Sequence, residues 1–180
     1  MLFNAPLESQ ANPGLSPNPT KAPWYFVGIQ EMLMHFHPLF AFLIIPVLII
    51  VALLSLPYID YPPHTAVGVW FASFKGRKTA LIAALAATIA TPLGILVDEY
   101  IIDLAAWMHG VPAFISNGLI PSAVVLAAIA GFYILIKRRY SVTKNEAIQA
   151  IFVLFLTAFL ILTVTGIWFR GTGMRLMWPL

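Results

Sequence analysis

Pro23-Trp24-Tyr25-Phe26 and, a little further on, Glu31 and His35 gather aromatic, acidic and imidazole side chains just ahead of the first long apolar run of this chain. Pro23 suits the first turn of a helix, where its missing N–H costs nothing, and Thr20 stands ahead of it as a cap. The spacing predicts a short helix over residues 23–37, lying at the membrane surface before the first span. At about 3.6 residues per turn, Trp24, Gly28, Glu31 and His35 fall on one stripe of that helix. The stripe lines up an aromatic face, a gap with no side chain, a carboxylate and an imidazole. A flat hydrophobic ligand that must surrender protons can use all four. The competing reading of Trp24 and Tyr25 is anchorage, since such rings favour the headgroup level of a membrane in any case.

A second group of titratable residues runs from Asp98 to His109. Asp98-Glu99-Tyr100-Ile101-Ile102-Asp103-Leu104-Ala105-Ala106-Trp107-Met108-His109 reads as a helix lying at the interface, with Asp98 near its start and Trp107 as an anchor. His35, Asp98, Glu99, Asp103 and His109 are the candidates to carry protons away from a site on this side, because an imidazole titrates near neutral pH. A solvated acidic loop has the same composition. No metal site is expected: His35 and His37 are two apart and point to different sides of a helix, and no acid–histidine cluster has ligand spacing. With no cysteine there is no disulfide, no thiolate metal site and no Cys-x-x-Cys-His haem attachment. The four histidines, His35, His37, His64 and His109, all lie outside the apolar runs, so a bis-histidine haem held by this chain alone is not expected.

These residues need a scaffold, and the composition names it. Hydrophobic residues make up 61% of the 180, charged residues 9%, and the mean hydropathy is +0.90, whereas soluble domains carry about 25% charged residues. The chain is read as an all-α integral membrane protein with spans over about 39–56, 79–97, 119–136 and 147–169, each close to the roughly 20 residues a bilayer requires. Pro46 should bend the first span and Pro57 help to end it. Thr91-Pro92 should kink the second, with Thr91 bonding a freed carbonyl. Ala80, Ala83, Ala84 and Ala87 in the second span, and Ala123, Ala127 and Gly131 in the third, have the spacing that lets helices approach closely in lipid. Residues 1–22, broken by Pro6, Pro13, Pro17 and Pro19, form an extended arm, with neither the basic nor the apolar segment of a signal peptide. Residues 23–180 form one membrane domain.

Orientation follows from the charges. Lys75, Arg77 and Lys78 lie in the first link between spans, and Lys137, Arg138, Arg139 and Lys144 in the third; the middle link carries Asp98, Glu99 and Asp103 and no basic residue. The positive-inside rule puts the basic links in the cytoplasm, with both termini and the acidic link outside. The basic residues at span ends thus account for the net charge of +3 without nucleic acid as a partner. The spans contain no Asp, Glu, Lys, Arg or His, which argues against a small transporter.

Two stretches resemble a known family. Trp24-Tyr25-Phe26 resembles the Pro-Glu-Trp-Tyr loop opening the carboxy-terminal half of cytochrome b, as found in split, subunit IV-like members of cytochrome bc-type complexes. Ala22 stands where the motif proline would be and Pro23 in place of its glutamate. Trp168-Phe169-Arg170-Gly171-Thr172-Gly173-Met174, with Trp178-Pro179, resembles the Phe-Arg-Gly-Pro-Gly and Trp-Pro signature at the end of the same family, and Tyr58-Ile59-Asp60 is similar as well. The middle of the chain, residues 79–139, has no counterpart in the short family members and reads as an inserted helical pair, leaving 147–180 as the closing helix and tail.

The resemblance implies a quinol-oxidation site on the outer side, lined by Pro23, Trp24, Tyr25 and Phe26, for menaquinol or ubiquinol. The motif glutamate that would accept a proton is absent, and Glu31, two turns along the face of Trp24, is the replacement offered by spacing. The resemblance further implies a separate di-haem cytochrome b subunit as partner and an iron–sulfur or multihaem cytochrome c subunit as electron acceptor. The setting would be a prokaryotic cytoplasmic membrane with both termini periplasmic. Arg170 is expected to pair with a carboxylate or a lipid phosphate, or to anchor the helix end. The alternative reading is a structural membrane subunit whose pocket is degenerate, with Pro23 in the glutamate position as its sign.

Overall fold

The computed structural model describes residues 20–59 and 69–178. The arm over 1–19, Asp60 and His64 in the first link, and Pro179 lie outside them. The regular structure of the described residues is helical, apart from one isolated antiparallel bridge between Arg170 and Leu176. Four helices are long and apolar enough to cross a membrane: Phe40–Tyr58, Phe74–Tyr100, Ile115–Tyr140 and Lys144–Phe169. The chain is an all-α multi-pass membrane protein. The second and fourth spans begin ahead of the apolar windows in capped, charged turns, and the third runs past its window through Lys137, Arg138 and Arg139.

Helix α1, Val27–Met34, is shorter than the 23–37 expected. Pro23 does start a turn, its carbonyl accepting from the N–H groups of Phe26 and Val27 at 2.9 Å each. The N-cap is Phe26, with no side-chain bond, so Thr20 does not cap this helix. Helix α2, Ile45–Ser55, follows a π-helical turn, Phe40–Ile44, and ends in a 3-10 turn, Leu56–Tyr58. Pro46 accounts for the wide turn: it has no N–H to give and its ring crowds the carbonyl four residues back. The same arrangement recurs where the π turn Ile115–Leu119 leads into α5, Ile120–Tyr140, with Pro121 second in the helix.

Helix α3, Phe74–Tyr100, and helix α6, Lys144–Val164, form the principal packed pair, and they run in the same direction. Ala80, Ala83 and Ala87 of α3 are buried, as are Ala147 and Ala150 of α6, so small residues let these helices close together. Ala83, Ala147 and Ala150 belong to one core cluster with Ile136 of α5 and Val142. The first helix of the segment 79–139 packs mainly along α6. The other small stripe behaves differently. Ala123, Ala127 and Gly131 of α5 face outward, and a Cβ at Gly131 would meet nothing within 4 Å. Pro92 sits inside α3, and the threonine that bonds backbone beside it is Thr88, to Ala84 O at 2.8 Å, not the expected Thr91.

Each end of the α3–α6 pair is tied by a carboxylate. At the basic end, Ser73 caps α3 by accepting from Gly76 N at 3.0 Å and donates its own hydroxyl to Glu146 Oε1. Glu146 also completes a capping box with Thr143 at the start of α6. One buried side chain thereby joins two helix N-termini. At the acidic end the tie is Glu99, on the last turn of α3, to Arg170, just past α6. Helix α4, Leu104–Trp107, is a single turn capped by Asp103.

Candidate functional site at the acidic end

Arg170 is where the site is built. It is 3% exposed, and Glu31 on α1 is fully buried beneath it. Arg170 Nε donates to Glu31 Oε1 and Oε2 at 3.0 and 2.9 Å, and Nη2 donates to Oε1 at 2.6 Å. Nη1 donates to Glu99 Oε2 at 2.6 Å and to the Met174 carbonyl at 3.0 Å. The planar fork of an arginine is what lets one side chain serve three acceptors in different directions. The chain after α6 folds back to supply the last of these: Gly171 N donates to Arg175 O and Met177 N to Phe169 O, with Gly173 at φ +67° in the turn.

Glu31 reaches a second cation. His35, one turn on, places Nε2 3.5 Å from Glu31 Oε1, and its Nδ1 lies 2.6 Å from Asp98 Oδ2. The first distance is an ion-pair contact, too long for a good hydrogen bond, and Nε2 has no hydrogen-bond partner among the described residues. Burial alone would lower the imidazole, but the bond to Asp98 and the contact with Glu31 carry its pKa up to about 9. At neutral pH His35 is therefore a cation donating through Nδ1. Burial pushes the Glu31 carboxyl up; the contacts from His35 and Arg170 outweigh it and hold the group below the usual carboxylate value. The order of charges across the site is Glu99, Arg170, Glu31, His35, Asp98, alternating in sign throughout.

The sequence places Asp98 and Glu99 in a different element from the one observed. They were expected to open an interfacial helix, where acids suit the helix dipole; they lie instead in the last turn of α3, where they oppose it. His35 and Arg170 supply the compensating charge. The interfacial helix itself shrinks to α4.

Beside this network lies a cleft of about 420 Å³ lined by His35, His37, Asp98, Glu99, Asp103, Trp107 and Asn117, among others. Its charged lining suits water and proton exchange better than an apolar ring. Asp103 lines it while capping α4 through Ala106 N at 2.9 Å. His109 is exposed and is not among the lining residues. His37 serves the fold: its N–H bonds Asn117 O at 2.7 Å, its Nδ1 accepts from Leu39 N, and its ring meets Phe114 edge-on.

The aromatic group lies apart from the cleft. Trp24 and Tyr25 are 74% and 66% exposed, with rings edge-to-face at 5.8 Å, and Pro23 and Phe26 are exposed beside them. The gap at Gly28 is no ligand slot. A Cβ there would collide with Thr163 Oγ1 of α6, and one at Gly166 would come within 2.6 Å of Val27 Cγ2. These two glycines are the crossing point of α1 and the end of α6. Two polar residues that spacing gave no reason to single out hold the aromatic loop in place. Gln30 Oε1 accepts from Ala22 N at 2.7 Å and its Nε2 donates to Thr20 O at 2.6 Å. Lys21 Nζ donates to the Ile167 and Arg170 carbonyls at 2.6 and 3.2 Å, capping the end of the last span. Their signal was polarity next to an apolar run, which alone does not name a partner.

No protein-family model, no curated protein and no solved structure matches this chain.

Proposed function

We propose that this chain is a membrane subunit of a cytochrome bc-like, quinol-oxidising complex, forming one wall of an outer-side quinol site and packing against a separate di-haem cytochrome b. What supports the reading is that its two resembling stretches meet in space. Lys21 holds Ile167 and Arg170, and Arg170 holds Glu31, so the Trp24-Tyr25-Phe26 loop and the Trp168–Met174 end form one folded unit.

Pro23, Trp24, Tyr25 and Phe26 would hold the ring. Trp24 and Tyr25 stand exposed with their rings edge-to-face, and no described residue covers them, so in this reading a partner supplies the rest of the ring site. A quinol supplies two electrons and two protons on oxidation. This chain contributes no electron carrier to the reading, and the electrons pass to the partner's b haems and to an iron–sulfur or multihaem cytochrome c subunit. In this reading the exit route is His35 and Asp98: His35, already protonated at neutral pH, first gives its Nδ1 proton to Asp98 at the cleft and only then takes up the next. Glu31 acts as the anion that keeps His35 charged and takes up a proton itself only when Arg170 is displaced. The acidic end faces the periplasmic side of a prokaryotic cytoplasmic membrane, and the quinol is menaquinol or ubiquinol.

A second reading, a structural subunit with a degenerate pocket, is favoured by one observation: Glu31 is fully buried and held by Arg170 through both oxygens. The experiment is to purify the native membrane complex gently, identify its subunits and haems, and follow quinol-dependent haem reduction with and without an inhibitor of the outer quinol pocket. In the first reading a di-haem cytochrome b co-purifies, the inhibitor blocks reduction, and Trp24→Ala with Tyr25→Ala weakens quinol use by roughly ten- to a hundredfold, the scale of two lost ring contacts. Inhibitor-insensitive reduction with an unaffected double variant establishes the structural reading.

A further inference from the structure

At the basic end, the last turns of α5 carry an open groove of about 410 Å³ lined by Gly131, Ile134, Leu135, Arg138 and Arg139. Its parts have separate characters. Gly131 leaves a notch where a side chain would stand, since a Cβ there meets nothing within 4 Å. Ile134 and Leu135 are about half exposed and apolar. Arg138 and Arg139 stand exposed at the helix end, and no ion pair or hydrogen bond occupies either of them among the described residues.

The surrounding charge is one-sided. Lys75, Arg77, Lys78, Lys137, Arg138, Arg139 and Lys144 gather at this end, against a single described acid, Glu146, which is buried in the two helix caps. Lys78 and Lys137 are placed over the rings of Tyr140 and Tyr133, at 5.5 and 5.7 Å from their centroids. The two arginines at the groove have no such engagement. An exposed apolar strip along one face of a membrane-spanning helix, ending in two guanidinium groups with no partner among the described residues, matches a ligand with an acyl chain and an anionic head. Arginine is also the side chain whose fork fits phosphate oxygens.

We propose that this groove is a binding site for one anionic diacyl phospholipid, its phosphate held by Arg138 and Arg139 and an acyl chain laid past Leu135 and Ile134 into the notch at Gly131. The site is independent of the quinol reading and lies at the opposite end of the molecule.

The test is native mass spectrometry of the full chain in detergent, titrated with dioleoylphosphatidylglycerol or with dioleoylphosphatidylcholine. One phosphatidylglycerol is expected to be retained in clear preference to phosphatidylcholine. Arg138→Gln with Arg139→Gln should reduce that retention by roughly thirtyfold, the combined effect of two basic side chains near a headgroup. Gly131→Leu fills the notch from a position where a Cβ meets nothing within 4 Å; it should weaken retention while the protein melts no lower than the parent. Lys75→Gln, a basic residue on α3 outside the groove, should leave retention unchanged. Equal retention of the two lipids would overturn the proposal in favour of binding that ignores the headgroup, and indifference to Gly131→Leu, or a loss with Lys75→Gln as large as with the arginine pair, would overturn it in favour of diffuse surface charge.

Discussion

Arg170 and Glu31 are 139 residues apart in the chain and meet in a two-pronged ion pair that solvent does not reach. The pair joins α1 to the end of α6, and the same guanidinium extends to Glu99 of α3. Removing Arg170 leaves the buried Glu31 with only the long His35 contact at 3.5 Å, and breaking a buried pair in this way costs about 3–5 kcal/mol at most. Arg170→Met should therefore lower the thermal midpoint of the purified protein strongly. Arg170→Lys should recover little of it, because a lysine ammonium cannot reproduce the fork that serves Glu31, Glu99 and the Met174 carbonyl together. A lysine variant melting with the parent protein would show that only the charge matters.

His35 makes the stability of the acidic end depend on pH, and the sign is fixed by the direction of its shift. Its folded pKa of about 9 lies above the ordinary value of 6.5. The stabilisation is complete below about pH 6.5, where folded and unfolded states are both protonated, and it is lost as pH rises through about 9. The limiting size is about 3 kcal/mol, set by the separation of the two values. Unfolding in detergent followed from pH 6 to pH 10 should show this decline, and His35→Gln should flatten it. A decline of equal size in the variant would place the titrating group elsewhere.

How far the sequence leads depends on whether the deciding interaction is local. The spans are set by apolar run length, and Phe40–Tyr58 and Lys144–Phe169 appear close to where hydropathy puts them. Glu31 and His35 share a helix face by spacing alone, and they do make contact. The third member of that stripe, Gly28, looked like space for a ligand because a sequence shows what a residue lacks and not what fills the gap. Thr163 and Phe159 fill it. Asp98 and Glu99 were assigned to the wrong element for a related reason. Acids at the end of a helix are unfavourable locally, and only the arrival of His35 and Arg170 from distant segments makes their place in α3 tenable.

The crossing of α1 over the end of α6 depends on two glycines with no room for a methyl group. At Gly166 a Cβ would come within 2.6 Å of Val27 Cγ2 and 3.2 Å of the Val27 carbonyl, and the carbonyl cannot turn aside as a side chain does. Gly166→Ala should thus cost about 1–3 kcal/mol, the usual penalty of overpacking. Gly94, on α3, has nothing within 4 Å of its Cβ position and is the control. There, alanine should be neutral or slightly stabilising, since it gains helix propensity without a clash. Equal melting of the two variants would mean that α1 can lift from α6 at little cost.

The opposite end of the α3–α6 pair depends on Glu146, which accepts from Ser73 on one side and from the Thr143 N–H and hydroxyl on the other. Two helix starts share this carboxylate, so Glu146→Ala loses the bond to Ser73 and the capping box together, a cost of about 2 kcal/mol. Ser73→Ala loses the α3 cap and the same bond, a cost of about 2 kcal/mol. Because each single change already breaks the Ser73–Glu146 bond, the double variant should be less destabilised than the sum of the two by about 0.5–1 kcal/mol. A double-mutant cycle on thermal unfolding measures this directly. Strict additivity would mean that the two caps act separately, and that Glu146 stabilises α6 without holding α3 to it.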